Sequence, residues 1–316
     1  MNFLVLTPDG VGSTYLQRAL TVYLNASGED YYNTHEILNG LALDRNNNLF
    51  KVKKRYTQSI SDICKLLDIN QAKIVSRLAQ YHVENRLAND PPLTDTKEDY
   101  EFFYSVCNDI YDKKMYCIRD PFEYALSWSI RNISGKFNVY SIKERIETHE
   151  QDVSFNIDLK YMESKLNQYN RYLYWVKDYF PEAIEVEYED IHNDIDLLLK
   201  NLTGIDFDMR KDWGTSLQEY STLLYKISRL NYNPSLGYSD KLIEYQNLLI
   251  EEKKLRNGMP IKSNTLEEKS KKVINFSSSL ELYNNWTESS NEFSKIEVDE
   301  ISKRITKENK IYELVD

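Results

Sequence analysis

Phe3-Leu4-Val5-Leu6-Thr7-Pro8-Asp9-Gly10-Val11-Gly12-Ser13-Thr14-Tyr15-Leu16 is the stretch whose reading fixes how the rest of the chain is taken. Residues 2–7 form a short apolar run, and Pro8-Asp9-Gly10-Val11-Gly12 breaks it, so the run reads as a first strand. Ser13 suits the cap of whatever follows. Beyond it Leu16, Ala19, Leu20, Tyr23 and Leu24 recur at i, i+3, i+4, i+7 and i+8, the stripe of a helix packed on one face. The local order is strand, glycine turn, helix.

The same alternation continues outward. Tyr31-Tyr32-Asn33-Thr34 reads as a second short strand ending at His35-Glu36, and Lys73-Ile74-Val75-Ser76 as a third. Residues 97–112 have Tyr100, Phe103, Tyr104, Cys107 and Tyr111 on one side of a helix. Lys114 to Ile118 is a fourth strand that runs into Arg119-Asp120-Pro121. Pro121 fits the first turn of the next helix, whose apolar face is Phe122, Ala125, Leu126 and Ile130. A longer helix is expected at 158–178 and a further strand from Ala183 to Glu187. Asp190 then precedes a helix with Ile191, Ile195, Leu198, Leu199 and Leu202 inward, and Gly204 fits its C-terminal cap. Strands alternating with helices predict an α/β fold: three layers, with a central, mostly parallel sheet of four or five strands flanked by helices.

That domain is expected to span residues 1–235. Residues 239–256 and 265–312 are charged, poor in glycine and helical in pattern, with a break at Asn257-Gly258-Met259-Pro260. They predict a helical C-terminal extension, 236–316, that packs on the domain or makes a homodimer contact.

With 41% hydrophobic residues among 316, the chain has the material for a sizeable core. A net charge of −10 argues against non-specific binding to nucleic acid or to an anionic membrane. A phosphate pocket needs only two or three cations, which an acidic protein can supply. Cys64, Cys107 and Cys117 form no CxxC pair and give no metal spacing, as expected of reduced thiols. No apolar run approaches the roughly 20 residues of a membrane span, and the first residues are too short for a signal segment. A cytoplasmic location is the expectation.

Two stretches carry chemistry. In Asp9-Gly10-Val11-Gly12-Ser13-Thr14 a glycine turn exposes backbone N–H groups, the helix N-terminus adds partial positive charge, and Ser13 and Thr14 add hydroxyls. Together they suit a phosphate or sulfate group, although an ordinary strand–helix turn would look similar. No Lys follows Gly12, so the side chain that reaches the β- and γ-phosphates of ATP is missing. The second stretch is Arg119-Asp120-Pro121-Phe122-Glu123-Tyr124-Ala125-Leu126-Ser127-Trp128. Arg119 leaves the end of a strand, where open α/β sheets bind ligands, and Ser127 lies two turns into the helix. A guanidinium and a hydroxyl so spaced suit a phosphate, and a surface Arg beside a Pro-started helix is the plainer alternative.

Taken in order, these motifs resemble the P-loop-type sulfotransferases that use the sulfate donor PAPS (3′-phosphoadenosine 5′-phosphosulfate). That family has a 5′-phosphosulfate loop, Lys/Arg-Ser/Thr-Gly-Thr-Thr, after its first strand. It has a 3′-phosphate motif, Arg then Ser eight residues on, after a central strand. Gly12-Ser13-Thr14 and Arg119…Ser127 stand in those places, and Glu187-Tyr188-Glu189-Asp190-Ile191 with Leu202-Thr203-Gly204-Ile205 looks like a later family segment. The resemblance covers residues 2–210. It implies sulfuryl transfer from PAPS to a hydroxyl or amine acceptor, leaving PAP, with no metal. Gly10, Val11, Gly12, Ser13, Thr14, Tyr15 and Arg18 would hold the donor's 5′ end, and Arg119 and Ser127 its 3′-phosphate. Gly10 stands where the family has a basic residue, so Arg18 or Arg77 is the expected replacement. The base would be His35, Glu36 or His82. The acceptor, whether sugar, protein or small molecule, would be met by loops 38–72, 80–98 and 132–157. Two other readings stay open: another P-loop enzyme such as a kinase or NTPase, or an assembly protein that keeps the fold without the chemistry.

Overall fold

The computed structural model describes residues 1–27, 29, 31–36, 41–43, 49–51, 73–80, 97–134, 154–206 and 266–289. By their contacts these residues form two compact units, one of residues 1–118 and 174–206, the other of 119–173 and 266–289. The predicted boundary at 235 lies outside the described residues.

The first unit is built on a parallel sheet of five strands. They are β1 (Phe3–Thr7), β2 (Tyr31–His35), β5 (Lys73–Ala79), β6 (Lys113–Ile118) and β7 (Ile184–Glu187), in the order β2-β5-β1-β6-β7. All four neighbouring pairs are parallel. Every residue of β1 is buried, as a central parallel strand covered on both faces requires. Two further short strands, β3 (Leu41–Leu43) and β4 (Leu49–Lys51), pair antiparallel with Leu41 opposite Lys51. They fall in the stretch 38–72 that the sequence reading leaves as a loop.

The helices of this unit are α1 (Ser13–Ala26), α2 (Lys97–Ile110), the end of α4 (Leu159–Tyr179), α5 (Tyr188–Asn193) and α6 (Ile195–Thr203). Helix α1 packs on β1, β2 and β5 through Leu16, Ala19, Leu20, Tyr23 and Leu24, all buried. It begins at Ser13 itself, and its first turn closes with Leu16 N–H donating to the Gly12 carbonyl at 3.0 Å. Tyr104 on α2 meets Trp175, Tyr179 and Phe180, with ring centroids 5.8, 4.1 and 5.5 Å away.

Residues 188–203 form two helices rather than the one expected after Asp190. The break is at Asp194, whose carboxylate accepts from Leu197 N–H at 3.2 Å and starts a new helix there. Gly204 ends that helix in the left-handed region (φ 73°), as expected, with its N–H donating to the Lys200 carbonyl at 2.8 Å.

The second unit holds α3 (Pro121–Ser134), most of α4, α7 (Leu266–Lys272) and α8 (Phe276–Ser289). Asp120 caps α3, its Oδ1 accepting from Glu123 N–H at 2.8 Å, and Pro121 takes the first helical position. Phe122 packs edge-on to Phe276 at 5.7 Å and tilted on Tyr283 at 5.4 Å. Trp286 Nε1 donates to Asn167 Oδ1 at 2.8 Å. A parallel bridge joins Phe155 to Val273, and Asn275 exchanges two 2.9 Å bonds with the Ile157 backbone. Part of the predicted C-terminal helical segment thus shares a core with residues 119–173.

Candidate functional site

The order β2-β5-β1-β6-β7 sets where a ligand can enter. The chain leaves β1 toward β2 on one side of the sheet and leaves β6 toward β7 on the other. Connections that diverge from adjacent parallel strands open a crevice at their C-terminal ends. The turn Pro8–Gly12 lies at that end of β1.

This turn is built from left-handed residues. Asp9 (φ 65°), Gly10 (φ 76°) and Gly12 (φ 76°) all have positive φ, a conformation natural to Gly and tolerated by Asp. Asp9 N–H donates to Thr7 Oγ1 at 2.9 Å, which folds the turn onto the strand end. A methyl group at Gly12 would stand 3.3 Å from Tyr188 Cδ2 and 3.5 Å from Ile191 Cδ1, so α5 closes on the turn's backbone. Val11, Ser13 and Tyr15 are buried, and Gly10, Gly12 and Thr14 are half-buried.

Arg77, near the end of β5, is the hub of this region. Its Nη1 donates to Thr14 Oγ1 and its Nη2 to Glu36 Oε1. Asp9 Oδ1 lies 3.7 Å from the same Nη1. Arg77 and Glu36 are buried, so this ion pair is screened little by solvent. The register explains the meeting: Arg77 pairs with Val5 and Ala79 with Thr7, so β5 delivers the guanidinium beside the turn that β1 enters. Behind it runs a buried hydroxyl chain in which Tyr111 donates to Ser76 Oγ at 2.6 Å and Ser76 meets Thr34. The Cys117 thiol in this unit is pushed up to about 12 by burial, against the opposing charge of Arg77.

The region of Arg119 in the second unit is organised differently. Tyr169 clamps the Arg119 backbone, accepting from its N–H at 2.8 Å and donating to its carbonyl at 2.7 Å. The Arg119 guanidinium donates through Nη2 to Glu123 Oε2 at 3.0 Å, one turn on. Lys269 on α7 donates to the same oxygen at 3.2 Å. Burial and the nearby Arg119 pull the Lys269 ammonium down to about 8, with Glu123 opposing and Arg131 assisting. Burial raises the Glu123 carboxyl, but Lys269 and Arg119 outweigh it and hold the group below its usual range. Burial pushes Asp120 up to about 6, against its bond from the Glu123 backbone. Ser127, at i+4 from Glu123, is buried, and its Oγ has no partner among the described residues. Trp128 carries Arg131 and Lys165 at 5.7 and 4.7 Å from its ring centroid.

The structure therefore gathers Gly10, Val11, Gly12, Ser13, Thr14, Tyr15, Arg77 and Glu36 in the first unit, and Arg119 and Ser127 on and before α3 in the second. Arg18 lies on α1 and His35 at the end of β2; His82 falls outside the described residues. Sequence reasoning missed three members. Asp9 carries no signal beyond its place in the turn. Glu123 stands at helical i+4 spacing from Arg119, a legible signal. Lys269 lies 146 positions from its partner Glu123, and nothing local marks it. Among the described residues no group of three His, Cys, Asp or Glu side chains could hold a metal ion, and no helix is long and apolar enough to cross a membrane.

No family model matches this chain, and neither does any curated protein. Among solved structures it is similar to a sulfotransferase from Alicyclobacillus acidocaldarius, with a TM-score of 0.36 and 13% identity over 81% of this chain and 95% of that one. That likeness is slight, and no role for any residue here follows from it.

Proposed function

We propose that this chain is a transferase of the sulfotransferase type, which takes its sulfuryl group from PAPS and passes it to a hydroxyl or amine acceptor. The observation that carries this reading is the contact between Arg77 and Thr14 at a glycine turn that has no lysine of its own. Arg77 brings a cation from β5 to Thr14 of that turn. Thr14 accepts from Arg77, which leaves its own hydroxyl proton to donate to a ligand oxygen. The turn's backbone N–H groups and the start of α1 add donors and partial positive charge. In the reaction the acceptor oxygen or nitrogen bonds to sulfur, the bond from sulfur to the 5′-phosphate oxygen breaks, and PAP leaves with that electron pair. The acceptor's proton passes to a base. The Glu36 carboxylate is already occupied by Arg77, so His35 and His82 are the better candidates for that step.

Calorimetric titration of PAP into the wild-type chain and into Thr14→Val tests this. Binding that is preferred over ATP–Mg²⁺ and falls tenfold or more in the variant, a loss of about 1.4 kcal/mol, supports the reading. Absence of PAP binding by folded wild type overturns it.

One observation favours a second reading, a nucleotide-fold protein without transfer chemistry. Arg77 is engaged by Glu36 with Asp9 nearby, and two carboxylates against one guanidinium leave the turn short of positive charge. Under this reading labelled PAPS yields no product with any acceptor offered, even where PAP binds.

A further inference from the structure

We propose that Thr34 is a register pin: tied to Ser76 and Val75, it makes Glu36 rather than His35 the residue that stands against Arg77, and so positions the guanidinium at the glycine turn. Tyr31, Tyr32 and Asn33 of β2 stand opposite Lys73, Ile74 and Val75 of β5, one for one. The residue opposite Ser76 is then His35, not Thr34. Thr34 is therefore an extra residue in β2, a bulge of the kind that redirects the side chains beyond it. Carried on by one residue, this register sets Glu36 opposite Arg77, where their ion pair is found. An unbroken register would set Thr34 opposite Ser76 and His35 opposite Arg77, and Glu36 would pass to the other face of the sheet.

The apolar pattern of β2 does not choose between the two registers. Tyr31, Tyr32, Asn33 and Thr34 are all buried, so no alternation of buried and exposed positions marks the faces, and β2 is an edge strand of the five, set from one side. The hydroxyls make the choice. Tyr111 donates to Ser76 Oγ at 2.6 Å, Ser76 Oγ meets Thr34 Oγ1, and Thr34 Oγ1 donates to the Val75 carbonyl at 3.4 Å. Each hydroxyl has one proton to give, so the chain runs from Tyr111 through Ser76 and Thr34 to the carbonyl. Thr34 is thus tied to two successive residues of β5, which holds it between them rather than opposite either. The same carbonyl accepts from Gln17 Nε2 of α1 at 3.2 Å, so side chains meet it where the ladder is interrupted. Thr34, Ser76 and Tyr111 are all buried, and breaking the chain would leave hydroxyls unsatisfied in the interior.

The pin involves no ligand; it touches the proposed function only through Arg77, on which that reading rests. The test is a double-mutant cycle in urea on the full-length chain. Arg77→Met, Glu36→Gln and the two together give the coupling between these residues, and the cycle is repeated in Thr34→Val and in Thr34→Ser. Valine keeps the shape of the side chain and loses the hydroxyl, whereas serine keeps the hydroxyl. The coupling is expected to fall by roughly half or more in Thr34→Val and to stay at its wild-type value in Thr34→Ser. Thr34→Val that is less stable yet keeps the whole coupling overturns the pin, because the hydroxyl then supports the fold without choosing the partner of Arg77. Coupling lost equally in Thr34→Ser overturns it too. Should Thr34→Val not fold, Tyr111→Phe decides the matter: it withdraws the first donor of the chain, and a coupling that does not fall there overturns the pin. PAP titrated into wild type keeps the two readings apart, since its failure to bind removes the nucleotide while the cycle still judges the pin.

Discussion

The glycine turn and the Arg119 cluster are both arginine-centred, yet they balance charge in opposite ways. At the turn one guanidinium faces two carboxylates, Glu36 and Asp9, with a hydroxyl between. In the cluster one carboxylate faces two cations, Arg119 and Lys269. A buried ion pair with its partner in place is a structural fitting, whereas buried cations in excess over their counter-ion raise the free energy of the empty state. The difference teaches that an arginine near a strand end is not by itself an anion site; what surrounds it decides whether a ligand is needed.

The largest expected effect tests that contrast directly. Arg77→Met leaves the buried Glu36 carboxylate without its guanidinium and should cost about 3–5 kcal/mol in urea unfolding. Arg77→Met with Glu36→Gln should recover much of that loss, because no unpaired charge then remains. Lys269→Met should behave differently: it removes an ammonium whose pKa burial already lowers to about 8, and stability should hold or rise. Equal losses in Arg77→Met and Lys269→Met would remove the distinction between the two regions.

The next effect is read from pH. Burial pushes the Asp120 carboxyl up to about 6 from its ordinary 3.8. A raised carboxyl pKa means that the folded state holds the proton more tightly, so its contribution to stability is full below about pH 4. It is lost as pH rises through 6. The rise from 3.8 to about 6 corresponds to about 3 kcal/mol as an upper figure. Asp120→Asn keeps a cap for α3 and removes the titration, so its stability relative to wild type should improve steadily from pH 4 to pH 7. A pH-independent difference would mean that Asp120 is not held in this way, and that the cation-rich cluster keeps its charge excess with its neighbouring carboxylate fully ionised.

Strands β1 and β6 are legible in the sequence because each is an apolar run followed by a turn and an amphipathic helix. Phe3–Thr7 and Lys113–Ile118 were read nearly to their ends. The break at Asp194 was missed because Ile191, Ile195 and Leu199 keep a helical period straight through it; only the capping bond to Leu197 distinguishes two helices from one. At the turn, Arg18 and Arg77 are the two replacements the resemblance implies for the missing basic residue, whereas the engagement of Arg77 by Glu36 and Asp9 depends on strand register, which a single chain does not display. Lys269 was illegible for a plainer reason: it meets Glu123 through packing between distant helices, and such contacts leave no mark in local spacing.

The smallest effect concerns how far the glycine turn is fixed by what packs on it. Gly12 and Gly204 have nearly the same backbone angle, φ 76° and 73°, so alanine at either pays the same left-handed strain of about 1–2 kcal/mol. They differ in surroundings. A methyl at Gly204 meets nothing within 4 Å, whereas one at Gly12 presses on Tyr188 at 3.3 Å and Ile191 at 3.5 Å. Gly12→Ala should therefore be the more destabilising by several tenths of a kcal/mol, measured as the difference between two unfolding curves rather than as either alone. Because the extra cost comes from the ring of Tyr188, Tyr188→Leu in the Gly12→Ala background should reduce it and leave Gly204→Ala unchanged. Equal costs at the two glycines would mean that α5 yields freely. The turn would then be set by its own backbone and by Arg77, and the acid-rich region would be held by its ion pair alone.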